Sequence, residues 1–252
     1  MQPISFAVVV PMFNEEVGCE PCVHEICSEL DKLPYRCCLV VVNDGSSDRT
    51  AEILEDLKCR FSKLTVLHHA ANRGYGAALL TGALHAHRGG FDYVLYMDSD
   101  LTNRPRDISR FAEQMQEGHD VIKATRYSAG GRVVGVPRRR VLVSRIGNCL
   151  AGRLFRLPIH DFTNGFRAIR TPLVAQMTLH ERRFASIMEE LWWLGFLTRR
   201  FVEIPVTLTN RGEARRPTSF IYRPKVFWDY LKYPLRAFLG VKPRELKHSI
   251  GR

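Results

Sequence analysis

The stretch Tyr93-Val94-Leu95-Tyr96-Met97-Asp98-Ser99-Asp100-Leu101-Thr102 joins a mostly apolar run to two carboxylates one residue apart. Such a run is typical of a buried strand whose carboxyl end opens on a cleft. Two aspartates this close repel each other unless a cation lies between them, and Mg2+ or Mn2+ takes carboxylate and phosphate oxygens together. Asp98 and Asp100 are therefore candidate metal ligands. The alternative is a turn that caps the next helix, which a D-x-D pair on its own favours, so the neighbouring segments decide.

Five apolar runs of four or five residues alternate with longer helical patterns along the first half of the chain. The predicted strands are residues 6–10, 39–42, 65–68, 93–97 and 121–125. The first predicted helix is capped by Asn14 and ends near Lys32. The second spans 50–61, the third opens at 72–78, and the fourth spans 107–117. This alternation predicts an α/β fold with a mostly parallel sheet and helices on both faces.

Polar side chains follow three of the predicted strands, namely Asn14 and Glu15, then Asp44, then the Asp98 and Asp100 pair. Ligands of open parallel sheets bind beyond the carboxyl ends of the strands, so these turns are expected to converge on one crevice. Neither the dinucleotide fingerprint G-x-G-x-x-G after the first strand nor the phosphate-binding motif G-x-x-x-x-G-K-[ST] occurs. A nucleotide would therefore be held through carboxylates and a metal.

The chain has 252 residues and is 45% apolar, which permits one large domain, or one core with an appended lobe. It has no apolar run of about eighteen residues, so no bilayer-spanning segment is predicted. The amino end lacks a basic region or cleavage site, and the seven cysteines are an odd number, so a reducing, cytoplasmic compartment is favoured. The cluster of Cys19, Cys22, His24 and Cys27 lies in a helical pattern, which favours ordinary helix positions over a zinc site.

Positive charge is concentrated in the second half of the chain. The net charge is +11, and residues 121–160 contain nine Lys or Arg and no Asp or Glu. Such an excess favours polyanionic partners, which include nucleoside diphosphates, phosphorylated acceptors, an anionic membrane surface and nucleic acid. The alternative is a solvated basic face. Nucleic acid is the weakest of these partners because the predicted crevice is acidic and no known recognition motif is present.

Four segments resemble, in order and spacing, the family 2 glycosyltransferases of the GT-A fold, a Rossmann-like α/β fold. They are residues 9–15 (VVPMFNE), 41–50 (VVNDGSSDRT), 72–78 (NRGYGAA) and 98–101 (DSDL). The second half resembles the dolichyl-phosphate mannose synthase and polyprenyl-phosphate glycosyltransferase branch, in residues 124–127 (ATRY), 161–167 (DFTNGFR), Glu189 and 202–206 (VEIPV). The resemblance covers about residues 5 to 240, and it implies a metal-dependent, inverting transfer of a sugar from a GDP- or UDP-sugar to a polyprenyl or dolichyl phosphate.

The resemblance also implies roles for individual residues. Base and ribose contacts fall on Pro11, Phe13, Glu15, Val42 and Asp44, diphosphate contacts on Arg126 and Arg211, and the Mg2+ or Mn2+ ion on Asp98 and Asp100. The family lysine near Arg211 has no clear match here, and Arg215 or Arg216 could stand in for it. Asp161 and Arg167 match positions that contact the acceptor or the diphosphate.

The proposed chemistry acts on the leaving group. Cleavage of the sugar–phosphate bond leaves charge on the nucleoside diphosphate, and a metal with arginines would stabilise that charge. A lipid phosphate is already ionised and needs no general base, whereas a hydroxyl acceptor needs a carboxylate, for which Glu189 or Asp161 is the candidate. Neighbouring glutamates on a helix point about 100° apart, and the spacing to residues 202–205 selects Glu189 over Glu190 to face the cleft. The predicted catalytic residues are Asp98, Asp100, Asp161, Arg167 and Glu189.

Two amphipathic segments follow the D-x-D region. Residues 132–156 alternate arginines with apolar residues at helical spacing, which is expected either of a basic helix on an anionic membrane or of a helix packed on the sheet. Residues 225–239 mix aromatic and cationic side chains, which suits a bilayer interface and equally suits packing against the catalytic domain. Peripheral attachment to the cytoplasmic face of a membrane is expected, with a membrane partner subunit as another source of lipid contact.

The expected domain organisation has three parts. Residues 1–210 form the catalytic domain, divided into a nucleotide-sugar half (1–125) and an acceptor half (126–210). Residues 211–240 form a basic loop and an interfacial helix, and residues 241–252 form a disordered tail. Two other functions compete with transfer to a lipid phosphate: transfer to a soluble hydroxyl acceptor, and binding of a nucleotide sugar by a regulator without turnover.

Overall fold

A seven-stranded sheet forms the centre of the molecule, whose computed structural model describes residues 4–209 and 224–243. The strands are β1 Ser5–Met12, β2 Arg36–Asn43, β3 Leu64–His68, β4 Tyr93–Tyr96, β5 Val121–Thr125, β6 Arg132–Val133, β7 Arg167–Arg170, β8 Phe201–Pro205 and β9 Thr207–Leu208. The helices are α1 Cys19–Asp31, α2 Thr50–Arg60, α3 Tyr75–Arg88, α4 Ile108–Gln116, α5 Arg138–Phe155, α6 Thr171–Ala175, α7 Ser186–Leu197 and α8 Pro224–Phe238.

The sheet order is β3-β2-β1-β4-β7-β5-β8, and β6 pairs with β9 in a separate two-stranded sheet. All pairs in the large sheet are parallel except those of β7, which runs antiparallel to both β4 and β5. At the centre of β1, Val8 lies between Leu39 of β2 and Leu95 of β4. The carboxyl ends of β1, β2 and β4 therefore reach the same edge of the sheet, as the sequence predicts.

Helices cover both faces of the sheet, which explains the continuous apolar runs of the central strands. On one face the core contains Val8 and Val10 of β1 with Val23 and Ile26 of α1. On the other face Ala7 and Val9 of the same strand lie in a core with Ala78, Leu79 and Ala83 of α3. Within residues 4–209 and 224–243, no helix combines the length and the hydropathy needed to cross a bilayer.

The structure confirms the five predicted strands and the mostly parallel sheet, and it adds β6, β7, β8 and β9, which the sequence pattern did not predict. The strand β7 comes from a later segment of the chain and inserts antiparallel between β4 and β5. The fourth and fifth predicted strands are therefore not neighbours in the sheet.

The expected role of Asn14 as a helix cap is wrong, because α1 begins only at Cys19 and Gly18 precedes it. Asn14 instead has a left-handed backbone with φ 54°, and its side-chain oxygen accepts a hydrogen bond of 2.7 Å from the Ser47 backbone N–H. The side chain that was expected to start a helix therefore joins the turn after β1 to the turn after β2.

Close packing of α3 on β1 generates a test of the fold. A methyl group at Gly82 would lie 2.4 Å from Val9 Cγ1, so Gly82→Ala should lower the free energy of unfolding by about 1–3 kcal/mol, although alanine favours helices. In α5, a methyl group at Gly147 has no neighbour within 4 Å, and Gly147→Ala should raise stability by about 0.5–1 kcal/mol. Urea unfolding of both variants measures their free energies of unfolding. Equal changes in this free energy for Gly82→Ala and Gly147→Ala would contradict the close packing of α3 on β1.

Candidate active site

A cavity of about 450 Å³ opens where β4 ends, and the Asp98 and Asp100 side chains both line it. Arg126 and Thr163 contribute further polar groups to its lining. The remaining lining is mostly apolar and comes largely from α5, α7 and α8, with Val143, Leu150, Met188, Phe227 and Leu231 among its side chains. The cavity thus places a pair of carboxylates and an arginine beside a large apolar surface.

Protein donors orient both aspartates of the D-x-D pair. The Tyr75 hydroxyl donates to Asp98 Oδ1 over 2.9 Å. The Thr102 backbone N–H and hydroxyl donate to Asp100 Oδ1 over 3.0 and 2.8 Å. The residue that precedes α4 is Asp107, so neither member of the pair caps that helix. The geometry favours a ligand site over the capping turn.

The two carboxylates suit a hard divalent cation that arrives with a phosphorylated ligand. In the part of the chain that the structure describes, no cluster of three His, Cys, Asp or Glu side chains could hold a metal alone. Mg2+ is commonly held by one or two carboxylates while water and substrate phosphates complete its coordination. Asp98 and Asp100 in one cavity supply that number of carboxylates.

Arg126 lines the cavity and is anchored from behind by Asp161. Its Nε and Nη2 atoms donate to the two Asp161 oxygens over 2.7 and 2.8 Å, and its backbone N–H adds a third bond of 3.0 Å. Burial acts to raise the pKa of Asp161, but the Arg126 guanidinium outweighs it and holds the pKa below its usual value. Asp161 is fully buried and positions Arg126, so the structure does not bring this predicted catalytic residue to the surface of the cavity.

Arg167 lies beneath the cavity rather than in it. Its side chain is 1% exposed, its Nε donates to Glu190 Oε2 over 2.7 Å, and its guanidinium lies 4.3 Å from the centre of the Tyr96 ring. Its Nη1 donates to the Gly165 carbonyl over 2.8 Å. The structure does not bring Arg167, predicted to contact acceptor or diphosphate, into the cavity, because its side chain is held in a buried ion pair.

The selection of Glu189 over Glu190 is also wrong, since neither side chain lines the cavity. Glu189 Oε2 accepts hydrogen bonds of 2.9 and 2.8 Å from the backbone N–H groups of His180 and Glu181. Every residue from 186 to 194 in α7 is buried, so an argument from helix faces cannot choose between neighbours. Burial raises the pKa of both glutamates, although Arg167 partly offsets the rise at Glu190.

Lys123 is a buried charge that the sequence interpretation missed. It lies in β5 with no exposed surface, and its Nζ donates to the Asn164 carbonyl over 2.7 Å. Burial, assisted by the Arg167 charge, lowers the pKa of Lys123 to about 7, against the opposite effect of Asp161. The available signal was a lysine inside an otherwise apolar strand, V-I-K-A-T.

The residues predicted to contact the nucleotide differ in their exposure to solvent. Phe13 is exposed, whereas Pro11 and Glu15 are half-buried. The Glu15 backbone N–H donates to the Thr50 hydroxyl over 2.8 Å, so the turns after β1 and β2 do converge. Val42 lies in the core against α3, and its side chain does not reach the cavity.

Asp44, predicted to bind a base or ribose, is held by groups of the protein in this structure. Its Oδ1 lies 2.6 Å from His69 Nδ1 and accepts the Arg73 N–H over 2.9 Å, while Oδ2 accepts the Gly74 N–H over 2.7 Å. The carboxylate is buried and holds the loop that leads into α3. Arg211, with its neighbours Arg215 and Arg216, lies outside the described residues.

A mostly parallel sheet whose central strand ends in a carboxylate pair is the architecture of the GT-A glycosyltransferases. The family model described as glycosyl transferase family 2 matches residues 7–178. The chain belongs to this family and is a glycosyltransferase.

The curated relatives have names that refer to polyprenol, dolichol or undecaprenyl phosphates. The chain is 29% identical over 214 residues to a polyprenol monophosphomannose synthase of Mycolicibacterium smegmatis, a match that covers 81% of this chain and 77% of the relative. It is 30% identical over 251 residues to a dolichol-phosphate mannosyltransferase of Pyrococcus furiosus, with coverage of 97% and 67%. It is 33% identical over 215 residues to an undecaprenyl-phosphate 4-deoxy-4-formamido-L-arabinose transferase of Edwardsiella ictaluri, with coverage of 83% and 62%.

Solved structures share the fold at lower sequence identity. Glucosyl-3-phosphoglycerate synthase from Mycobacterium tuberculosis in complex with UDP aligns with a TM-score of 0.66 at 18% identity, over 96% of this chain and 82% of that one. The same enzyme with Mn2+, UDP and glucosyl-3-phosphoglycerate aligns with a TM-score of 0.61, at 18% identity over 94% and 78%. S. aureus TarS 1-349 with UDP-GlcNAc gives 0.58, at 19% identity over 94% and 72%. These matches support the GT-A fold.

The buried lysine generates a pH prediction. Its pKa is about 7 in the folded chain and about 10.4 in an unfolded one, so between these values the unfolded state binds more protons. Stability from this residue should therefore rise with pH above about 7, by at most about 1.4 kcal/mol per pH unit. The free energy of unfolding should be measured for the unchanged protein and for Lys123→Met from pH 6 to pH 9. The value for the unchanged protein should rise relative to that of the variant as the pH increases. A difference between the two that stays constant with pH would contradict the lowered pKa of Lys123.

Proposed function

We propose that this chain transfers a sugar from a nucleoside-diphosphate sugar to a polyprenyl phosphate, with inversion at the sugar carbon. The observation that carries the proposal is the composition of the cavity, in which Asp98, Asp100 and Arg126 adjoin a mostly apolar lining. A polyprenyl phosphate has the matching composition, with an anionic head on a hydrocarbon chain. The names of the curated relatives support the same acceptor class.

The cavity is continuous with an apolar surface. Val143, Leu150 and Phe227 line the cavity and are also 40%, 44% and 51% exposed. An acceptor chain could therefore extend from the carboxylate pair along α5 and α8 to the outside of the protein. A small soluble acceptor would gain nothing from so much apolar surface.

The small number of carboxylates among the described lining residues favours a phosphate acceptor over a hydroxyl acceptor. Among the described lining residues, Asp98 and Asp100 are the only carboxylates, and both are assigned here to the cation. A hydroxyl acceptor needs a further base within hydrogen-bond reach, whereas a phosphate is ionised near neutral pH. Asp161 and Glu189, the two candidates for that base, are held by other groups.

In this proposal Asp98 and Asp100 would hold Mg2+ or Mn2+ together with the diphosphate of the donor, and Arg126 and Arg211 would contact the same diphosphate. When bound, the cation supplies charge stabilisation to the leaving nucleoside diphosphate. A solved GT-A neighbour with Mn2+ and UDP supports this cofactor class. The donor would bind in the half of the catalytic domain formed by residues 1–125, and the acceptor in the half formed by residues 126–210, with α8 adding to the acceptor side of the cavity.

Transfer into organic solvent tests the proposed reaction. Labelled GDP- and UDP-sugars, incubated with polyprenyl phosphate and Mn2+, should pass label into the organic phase, and a chelator should abolish the transfer. Asp98→Asn should lower the rate by at least about 100-fold because it removes a carboxylate that holds the cation, and with it the cation's stabilisation of the leaving group. The matched control is Asp56→Asn, an exposed carboxylate on α2, which should leave the rate unchanged.

Label that stays in the aqueous phase with every donor would contradict transfer to a lipid phosphate. Label that moves only to a soluble hydroxyl compound would replace it with the other glycosyltransferase reaction. Donor binding without any turnover would favour a regulator.

We also propose peripheral attachment to the cytoplasmic face of a membrane, and the surface of α5 and α8 supports attachment to an anionic bilayer. Leu142 and Ile146 on α5 are each 60% exposed, and Trp228 on α8 is 59% exposed. The first turn of α5 carries Arg138, Arg139 and Arg140 beside these apolar residues. Apolar side chains flanked by cations are typical of helices that lie in a membrane interface. A membrane partner subunit would use the same surface.

Vesicle retention tests this attachment. The Leu142→Ser, Ile146→Ser double variant should bind anionic vesicles more weakly, by roughly 10-fold per residue, because each buried aliphatic side chain contributes about 1.5–3 kcal/mol. Val17→Ser is the control. Val17 is 66% exposed, but it precedes α1 and belongs to neither α5 nor α8. Retention should fall with salt. Equal retention of all three proteins would contradict this assignment.

A further inference from the structure

Tyr75 is the residue whose hydroxyl reaches the first aspartate of the D-x-D pair. It is the first residue of α3, and its hydroxyl donates to Asp98 Oδ1 over 2.9 Å. The phenol is protonated at neutral pH and can therefore donate to a carboxylate. This hydrogen bond therefore connects the start of α3 to the residues that follow β4.

Glycines on both sides hold the Tyr75 backbone in place. The Gly74 N–H donates to Asp44 Oδ2 over 2.7 Å, and the Gly76 N–H donates to the Arg182 carbonyl over 2.8 Å. A methyl group at Gly74 or Gly76 would lie 2.4 or 2.3 Å from a backbone carbonyl oxygen of the 181–182 segment. Gly74 also has φ +97°, which other residues rarely adopt. The buried Asp44 carboxylate therefore acts on the site by fixing this turn.

The Tyr75 ring is fixed as well. It packs against Phe184, with ring centroids 4.7 Å apart at an interplanar angle of 36°. Both rings line the cavity. A hydroxyl on a ring held at its backbone and at its face has little freedom, so its direction is set before a ligand arrives.

Gly165 packs against both the Asp98 carboxylate and the Tyr75 hydroxyl. A methyl group there would lie 2.9 Å from Asp98 Oδ2 and 3.1 Å from the Tyr75 hydroxyl. The Gly165 carbonyl accepts a bond of 2.8 Å from Arg167 Nη1, and Arg167 is itself paired with Glu190. The buried ion pair beneath the cavity thus holds the backbone that packs on Asp98.

We infer that Tyr75 is a positioning residue, whose hydroxyl orients the Asp98 carboxylate for the divalent cation of the nucleotide sugar. The inference rests on the proposed function, because it assumes that Asp98 binds such a cation. Groups that hydrogen-bond to a metal ligand typically change metal affinity by about 10–100-fold when they are removed.

Binding of Mn2+ tests the inference without turnover. Loss of the free Mn2+ signal in electron paramagnetic resonance, with UDP or GDP present, gives the affinity for the cation. Tyr75→Phe keeps the ring that packs on Phe184 and should weaken Mn2+ binding about 10–100-fold. In transfer assays the Mn2+ concentration for half-maximal rate should rise by the same factor, while kcat at saturating Mn2+ should change less.

The matched control is Tyr93→Phe. Tyr93 is a buried tyrosine on β4, the strand that leads to Asp98, but its hydroxyl donates to the His119 carbonyl over 2.8 Å. This variant should lose stability and keep its Mn2+ affinity. Gly165→Ala is a second variant, which keeps the Tyr75 hydroxyl but crowds both it and Asp98 Oδ2 with a methyl group, and it should also weaken Mn2+ binding.

Mn2+ affinity that is unchanged in Tyr75→Phe would overturn the inference, whatever the result for Gly165→Ala, and would leave the proposed function standing. An equal loss in Tyr93→Phe would also overturn it, because the effect would then follow stability. If the unchanged protein binds no Mn2+ with either nucleotide, the proposed function fails, and the inference fails with it.

Discussion

Repulsion between two carboxylates at the end of one buried strand is the constraint on which the site depends. Like charges about 4 Å apart at an effective dielectric constant near 20 repel by about 4 kcal/mol, so groups around the pair must orient and compensate it. Tyr75 and Thr102 donate to the pair directly. Arg126 lines the same cavity and supplies positive charge. The pair is thereby kept in a half-buried position where a cation can reach it.

A layer of buried charges beneath the cavity sets this arrangement. Asp161 fixes Arg126, and Glu190 fixes Arg167, which in turn holds the Gly165 carbonyl. Buried ion pairs contribute little net stability in general, but removal of one partner is costly because it leaves an unpaired buried charge. The layer is a support for the cavity floor. The apolar side chains of the amphipathic helices α5 and α8 form the side of the cavity that suits a lipid.

The sequence predicted the parts of the structure that depend on local pattern. Continuous apolar runs predicted the parallel strands, because strands covered on both faces need apolar residues throughout. The amphipathic pattern of 132–156 predicted α5, whose Leu142 and Ile146 are exposed. The parts that failed depend on contacts distant in sequence. The four-residue strand β7 contains two arginines and gives no strand pattern, and α7 is buried all round, so its pattern could not orient Glu189. Asp44 and Asp161 were assigned to ligands because their partners, Gly74 and Arg126, lie about 30 residues or more away.

Anomalous scattering from crystals grown with Mn2+ and UDP or GDP tests the central claim most directly. The account predicts one strong manganese peak in the cavity, bound by carboxylate oxygens of Asp98 and Asp100 and by the diphosphate of the nucleotide. A manganese peak away from both aspartates, or a bound diphosphate with no cation between it and the pair, would contradict the account.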